Sequence, residues 1–97
     1  MRETERDVEL TRQFRRDWKL QLRSPHGRAI SPLFLTALAL LRADAVMPDH
    51  YRDRQLGGQW KDCRDCHIKP DLVLIYSKPD DDTIQLIRLG SHSELSL

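Results

Sequence analysis

His67, Asp71, Arg88 and His92 are the residues of this 97-residue chain whose types and spacing suit acid–base chemistry. His67 and Asp71 flank the turn Ile68-Lys69-Pro70, and His92 lies just past Gly90-Ser91. A hairpin of Leu72–Tyr76 and Thr83–Leu89, turning through Lys78-Pro79-Asp80-Asp81-Asp82, brings Asp71 and the region after Leu89 to the same end. His67, Asp71 and His92 then converge at one sheet edge with Arg88 nearby. Imidazoles transfer protons near neutral pH. A carboxylate can orient one of them, and an arginine can neutralise a phosphate that gains charge in a transition state. Together these are the parts of a metal-free phosphodiester cleavage. The plainer alternative is that the histidines are surface residues, or hydrogen-bonded structural ones, at strand ends.

Cys63-Arg-Asp-Cys66-His67 matches the attachment pattern of a c-type haem. That chemistry accompanies export, and the N-terminal Met-Arg-Glu-Thr-Glu-Arg has no apolar signal core. A strand argues against it as well, because residues three apart on a strand point to opposite faces. A zinc site from Cys63, His67 and His92 is one short of the usual four structural ligands. The expectation is a cytoplasmic protein with two free thiols, one packed inside and one lining the outer face.

These residues need a frame. Arg2–Leu10 is a weak strand candidate. Leu10, Phe14, Trp18 and Leu22 recur every four residues and predict a helix with one apolar stripe. Arg12, Arg15, Arg16, Lys19 and Arg23 lie opposite, either as a solvated face or as a contact for RNA phosphates or an acidic partner. Ser24-Pro25-His26-Gly27 ends that helix. Ser31-Pro32 starts a second, with Ser as N-cap and Pro at the first helical position. Its wide apolar face, Leu33 to Leu41, predicts burial between the first helix and a sheet. Beyond residue 50, Leu56–Trp60 holds a turn and Trp60–Ile68 can alternate as a strand. Leu72–Tyr76 suits a central strand buried on both faces, and Thr83–Leu89 returns beside it. Helices followed by strands make an α+β layout in one domain, residues 1–97.

Composition narrows the function. Apolar residues at 39% and charged residues at 32% fit an ordinary globular domain. Sixteen Lys/Arg against fifteen Asp/Glu give a net charge of +1, which does not indicate a strongly basic nucleic-acid binder. Residues 1–28 nevertheless carry eight basic and five acidic residues, so a local basic patch is available. The longest apolar run, Leu33–Leu41, spans nine residues with Thr36 inside it, too short to cross a bilayer.

The stretch Tyr51-Arg-Asp-Arg54-Gln-Leu56-Gly-Gly58-Gln-Trp60-Lys61-Asp-Cys-Arg64-Asp65-Cys-His67-Ile-Lys-Pro70-Asp71-Leu-Val-Leu-Ile75-Tyr76 resembles the YafQ-type toxins of the RelE/ParE superfamily. Arg88-Leu-Gly90-Ser91-His92-Ser-Glu-Leu95 fits that family's C-terminal motif, and Arg6-Asp7-Val8 and the two helices fit more loosely. The resemblance implies two N-terminal helices packed on a twisted antiparallel sheet of four or five strands. It implies a ribosome-dependent endoribonuclease, acting on mRNA in the A site, that uses no metal or cofactor. By the same resemblance, a ribose 2′-OH attacks the adjacent phosphate. His67, Asp71 and His92 match the family's catalytic positions, with His92 as general acid and the other two activating or orienting the nucleophile. Lys61, Arg88 and Arg54 are phosphate contacts. The partners implied are the ribosome, its mRNA and a cognate antitoxin in a heteromeric complex, with no membrane.

Two positions depart from the family pattern. Arg54 stands where the family usually has His, and an arginine stays protonated and cannot take a proton. Ser96 stands where the family commonly has Phe, and a serine offers no ring to stack on a base. The alternative reading is therefore a catalytically weakened or inactive member, acting as an antitoxin-binding module in operon repression.

Overall fold

The computed structural model describes residues 2–97. Their order is β1 (Asp7–Leu10), α1 (Arg12–Arg23), α2 (Ile30–Arg42), β2 (Arg54–Gln55), β3 (Arg64–Lys69), β4 (Leu72–Ser77) and β5 (Thr83–Gly90). The five strands form one sheet in the order β1-β5-β4-β3-β2. The expected α+β class and two helices on a sheet are present, with one correction. The sheet is mixed, because β1 runs parallel to β5 while the other pairings are antiparallel.

Hydrogen bonds from Arg6 set that parallel edge. Its guanidinium donates to the backbone carbonyls of Asp80 and Thr83 and to the Asp44 carboxylate just after α2. The start of β1 is thereby tied to the start of β5. Lys78 also reaches Asp44, at 2.7 Å. The hydrogen bond from Arg6 holds the Asp44 carboxyl well below the usual carboxylate range.

β4 is the central strand, and Leu72–Tyr76 are buried on both faces as the apolar run predicts. Leu72, Leu74 and Tyr76 face the helices, together with Cys66, Ile68, Ile84, Leu86 and Leu89. Val73 and Ile75 face the other way, where Leu56, Cys63 and Leu95 cover them. The two cysteines thus lie on opposite faces, but both are buried. Burial raises each thiol pKa, so neither is an outer-surface group or a ready nucleophile.

The first helix is rotated from its expected setting. Thr11 caps it by accepting the Phe14 N–H. Its buried face is Phe14, Asp17 and Gln21, with Trp18 partly covered, whereas Leu22 is 44% exposed. Leu10 belongs to β1. Asp17 causes the rotation. Its carboxylate takes the N–H of Leu89 at 2.9 Å and the Arg88 guanidinium at 2.8 and 3.3 Å. β1 has already left β5 at Leu10, so this side chain satisfies a strand N–H that would otherwise be orphaned.

The second helix begins at Ile30, one residue before the expected cap. Ala29 gives no side-chain cap, and Pro32 still sits in the first turn, where N–H groups have no intrahelical acceptor. Its buried face is Ile30, Phe34, Ala37 and Leu41, while Leu33 and Leu35 remain exposed. Phe34 packs on Trp18 and Phe14 of α1. The strand expected over Trp60–Ile68 is shorter, since Gly58–Trp60 forms a 3₁₀ turn and β3 starts at Arg64. Neither helix is long and apolar enough to cross a membrane.

Two stability outcomes follow from these ion pairs. Asp17→Ala leaves the Leu89 N–H and Arg88 unpaired, and urea unfolding should show a loss of about 2–3 kcal/mol. Asp17→Asn keeps an acceptor and should lose less. The Asp44 pKa is lower in the folded chain, so its stabilisation is present at neutral pH and fades as pH falls below about 4. Thermal melts between pH 5 and 2.5 should therefore be shallower in Asp44→Asn.

Candidate active site

A cluster at one end of β3 and β4 is built from three separate segments. His67 sits near the end of β3, opposite Val73 and therefore on the sheet face away from the helices. A bulge between His67 and Lys69 re-aims the end of that strand. Asp71 lies in the two-residue turn, Pro70-Asp71, that joins β3 to β4. His92 arrives from the C-terminal tail, just after β5.

Tail packing brings His92 to this place. Leu95 is buried against the second face of the sheet with Val73 and Ile75. The Ser91 N–H donates to the Glu94 carboxylate at 2.8 Å, and the Glu94 N–H donates back to the Ser91 hydroxyl at 3.1 Å. This reciprocal pair closes a tight turn around His92. Gly90 lets the turn fold back, since a Cβ there would meet Glu94 at 3.2 Å.

The three side chains form a line. The Asp71 carboxylate takes the Nδ1–H of His92 at 2.6 Å and its backbone N–H at 3.1 Å. These bonds hold the Asp71 carboxyl below the ordinary carboxylate range, helped by the nearby His26. His92 Nε2 lies 3.1 Å from His67 Nε2. Two facing ring nitrogens at that distance share one proton between them. Two protons would set N–H against N–H and break the contact. Burial lowers the His67 pKa, with the nearby Asp65 opposing and His92, Arg52 and Arg54 reinforcing that shift.

The other expected residues are placed differently. Arg54 pairs with Asp65, which is completely buried, at 3.3 and 3.5 Å. Asp65 lies two residues before His67 on the same sheet face, so Arg54 borders the site with its charge compensated. Arg88 is held by Asp17 of α1. Lys61 is exposed on the turn before β3, at the opposite end of that strand from His67. Among the described residues, no group of three or more His, Cys, Asp or Glu is arranged to hold a metal ion.

Several site residues were not singled out from the sequence. His50 and Arg52 line a groove of about 350 Å³ with His67, Lys69 and Pro70. Arg52 adopts a left-handed backbone, φ 49°, that turns the chain there. Asp53 fixes the same turn by accepting the Tyr76 hydroxyl at 2.8 Å and the Arg64 guanidinium at 3.1 Å. The alternation Arg52-Asp53-Arg54 against Arg64-Asp65 was the available signal, since opposite charges on paired strands form cross-strand bonds.

Known proteins share this arrangement of chain. The family model for the bacterial toxin YafQ of type II toxin–antitoxin systems matches residues 6–97. A YafQ protein of Haemophilus influenzae is 39% identical over 94 residues, covering 93% of this chain and 91% of its own. The mRNA interferase toxin YafQ of Escherichia coli K12 is 33% identical over 91 residues, covering 94% of this chain and 96% of its own. The crystal structure of the E. coli DinJ–YafQ toxin–antitoxin complex contains a chain that matches with a TM-score of 0.80 and 32% identity. That match covers 94% of this chain and 97% of the other. Agreement in sequence and fold over nearly the whole length shows that this chain belongs to the YafQ family of bacterial toxins from type II toxin–antitoxin systems.

Proposed function

We propose that this toxin is a ribosome-dependent endoribonuclease that cleaves mRNA in the A site by acid–base chemistry. The observation that carries this reading is the line Asp71–His92–His67, with contacts of 2.6 and 3.1 Å. A carboxylate behind His92 Nδ1 fixes the tautomer and supports an imidazolium, so Nε2 is the atom that delivers a proton. In the cleavage step the ribose 2′-oxygen bonds to phosphorus and the bond from phosphorus to the 5′-oxygen breaks. The 5′-oxygen leaves with the proton from His92, giving a 2′,3′-cyclic phosphate. Asp71 and His67 activate or orient the 2′-OH, and Arg54 contacts phosphate at the border of the site. Arg88 and Lys61 are weaker candidates for that task, because Asp17 holds Arg88 and Lys61 lies at the far end of β3.

Ribosome engagement falls to the exposed basic face of α1, where Arg12, Arg15, Arg16, Lys19 and Arg23 are solvent-facing. Binding through such a face weakens as salt rises. The E. coli relative was crystallised with DinJ, and an analogous antitoxin is the partner proposed here, in a heteromeric complex in the cytoplasm. It silences the toxin by covering His67, Asp71 and His92 or by blocking ribosome entry.

One observation favours a second reading. Arg54 is bonded to a fully buried carboxylate and stays protonated, so it cannot take a proton. A chain weakened in this way would act chiefly as an antitoxin-binding module.

Mapping of RNA 5′ ends in a translating extract separates the two. The wild-type chain should create new ends within A-site codons, and His92→Ala should lower them about a hundredfold or more. Ends that appear only with Arg54→His would favour the weakened toxin. No new ends from wild type, Arg54→His or His92→Ala would overturn the nuclease reading.

A further inference from the structure

His50 is a third imidazole at the site, from a position where the family resemblance places no catalytic group. It stands on the 3₁₀ turn Asp49–Tyr51, beside the edge of β3. Its ring packs on Tyr51 with centroids 4.2 Å apart, and Tyr51 is itself buried in the core. That contact gives an exposed side chain a fixed base. His50 lines the same groove of about 350 Å³ as His67, with Arg52 and Lys69 supplying positive charge. The groove is therefore suited to a phosphodiester.

The geometry of the reaction makes such a residue necessary. In an in-line displacement the attacking and leaving oxygens lie on opposite sides of phosphorus. His67 and His92 face each other at 3.1 Å and stand together on one side. They can serve one of the two oxygens as a pair, with Asp71 behind them. The other oxygen needs a proton acceptor outside that pair, and His50 is the other imidazole that lines the groove beside His67. Arg54 cannot act as one, since it stays protonated and is bonded to Asp65.

We propose that His50 takes the proton from the 2′-OH while the Asp71–His92–His67 line delivers one to the leaving 5′-oxygen. The 2′-oxygen gains phosphorus and loses its proton to His50. The 5′-oxygen loses phosphorus and gains a proton from His92. The two imidazoles finish with protonation states exchanged, and solvent resets them. His67 then orients His92 and the phosphate and does not itself accept the proton. The proposal rests on the nuclease reading above and moves activation of the 2′-OH from Asp71 and His67 to His50.

The test is single-turnover cleavage on ribosomes programmed with a defined A-site codon, from pH 5 to 9. Wild type is compared with His50→Gln and His50→Ala. Both variants should melt like wild type, because the side chain is solvent-exposed. The expected result is a rate lower by about a hundredfold or more in both variants. The acidic limb of the pH profile should also disappear, and added imidazole should partly restore His50→Ala. Wild-type rates and pH profile in both variants would overturn the assignment to His50 and leave the nuclease standing. A slow His50→Ala that keeps the acidic limb and ignores imidazole would also overturn it. A silent wild-type chain would remove the nuclease reading and this assignment together.

Discussion

A five-stranded sheet has two faces, and this chain has helices for only one of them. The second face carries Val73 and Ile75 at the centre of β4, and both are fully buried. Apolar surface of that kind is worth about 25 cal/mol per Å² removed from water, so it does not stay bare. The chain covers it with two short pieces, the Leu56–Cys63 turn region and the tail anchored by Leu95. Neither piece is a helix that could be placed by periodicity. The tail carries His92 into the candidate site. Packing of the second face and assembly of the site are thus one event. A change at Leu95 would act on His92 without touching it.

Charge pairing does for the edges what apolar packing does for the faces. Asp17 stands in for a strand where β1 stops short of Leu89. Asp44 gathers Arg6 and Lys78 where α2, β1 and the β4–β5 turn meet. Asp53 and Asp65 pair with Arg64 and Arg54 across the short β2–β3 ladder. A two-residue strand such as β2 has little intrinsic stability. Its position depends on these bonds and on the Tyr76 hydroxyl donated to Asp53. The near-neutral composition therefore conceals an ordered arrangement of charge. Much of the acid is spent inside the fold, which leaves the arginines of α1 free to face outward.

How legible this was depended on which force placed each element. β4 was readable because an unbroken apolar run has few other uses. The convergence of His67, Asp71 and His92 was readable because a hairpin fixes which residues meet at its end. α1 was readable as a helix but not in its rotation. The spacing Leu10, Phe14, Trp18, Leu22 fits a helical stripe, yet the buried set Phe14, Asp17, Trp18 and Gln21 fits one too. The choice was made by a carboxylate, and an apolar pattern counts Asp17 as outward-facing. The parallel pairing of β1 was hidden for a related reason, since Arg6 sets it through contacts more than seventy residues away in sequence. Arg88 showed the same limit, because its partner lies on a different element.

The Arg54 position joins these strands of reasoning. A histidine there would be a neutral or singly charged ring beside His67. An arginine is a permanent cation, and the fully buried Asp65 carboxylate beside it calls for one. That carboxylate also favours a charge on His67, while Arg54 disfavours one. The two influences oppose each other, and burial remains the main cause of the lowered His67 pKa. Where the family resemblance places a histidine, this chain thus sets a paired cation beside His67. Among the described residues that line the groove there, His50 is the one other imidazole.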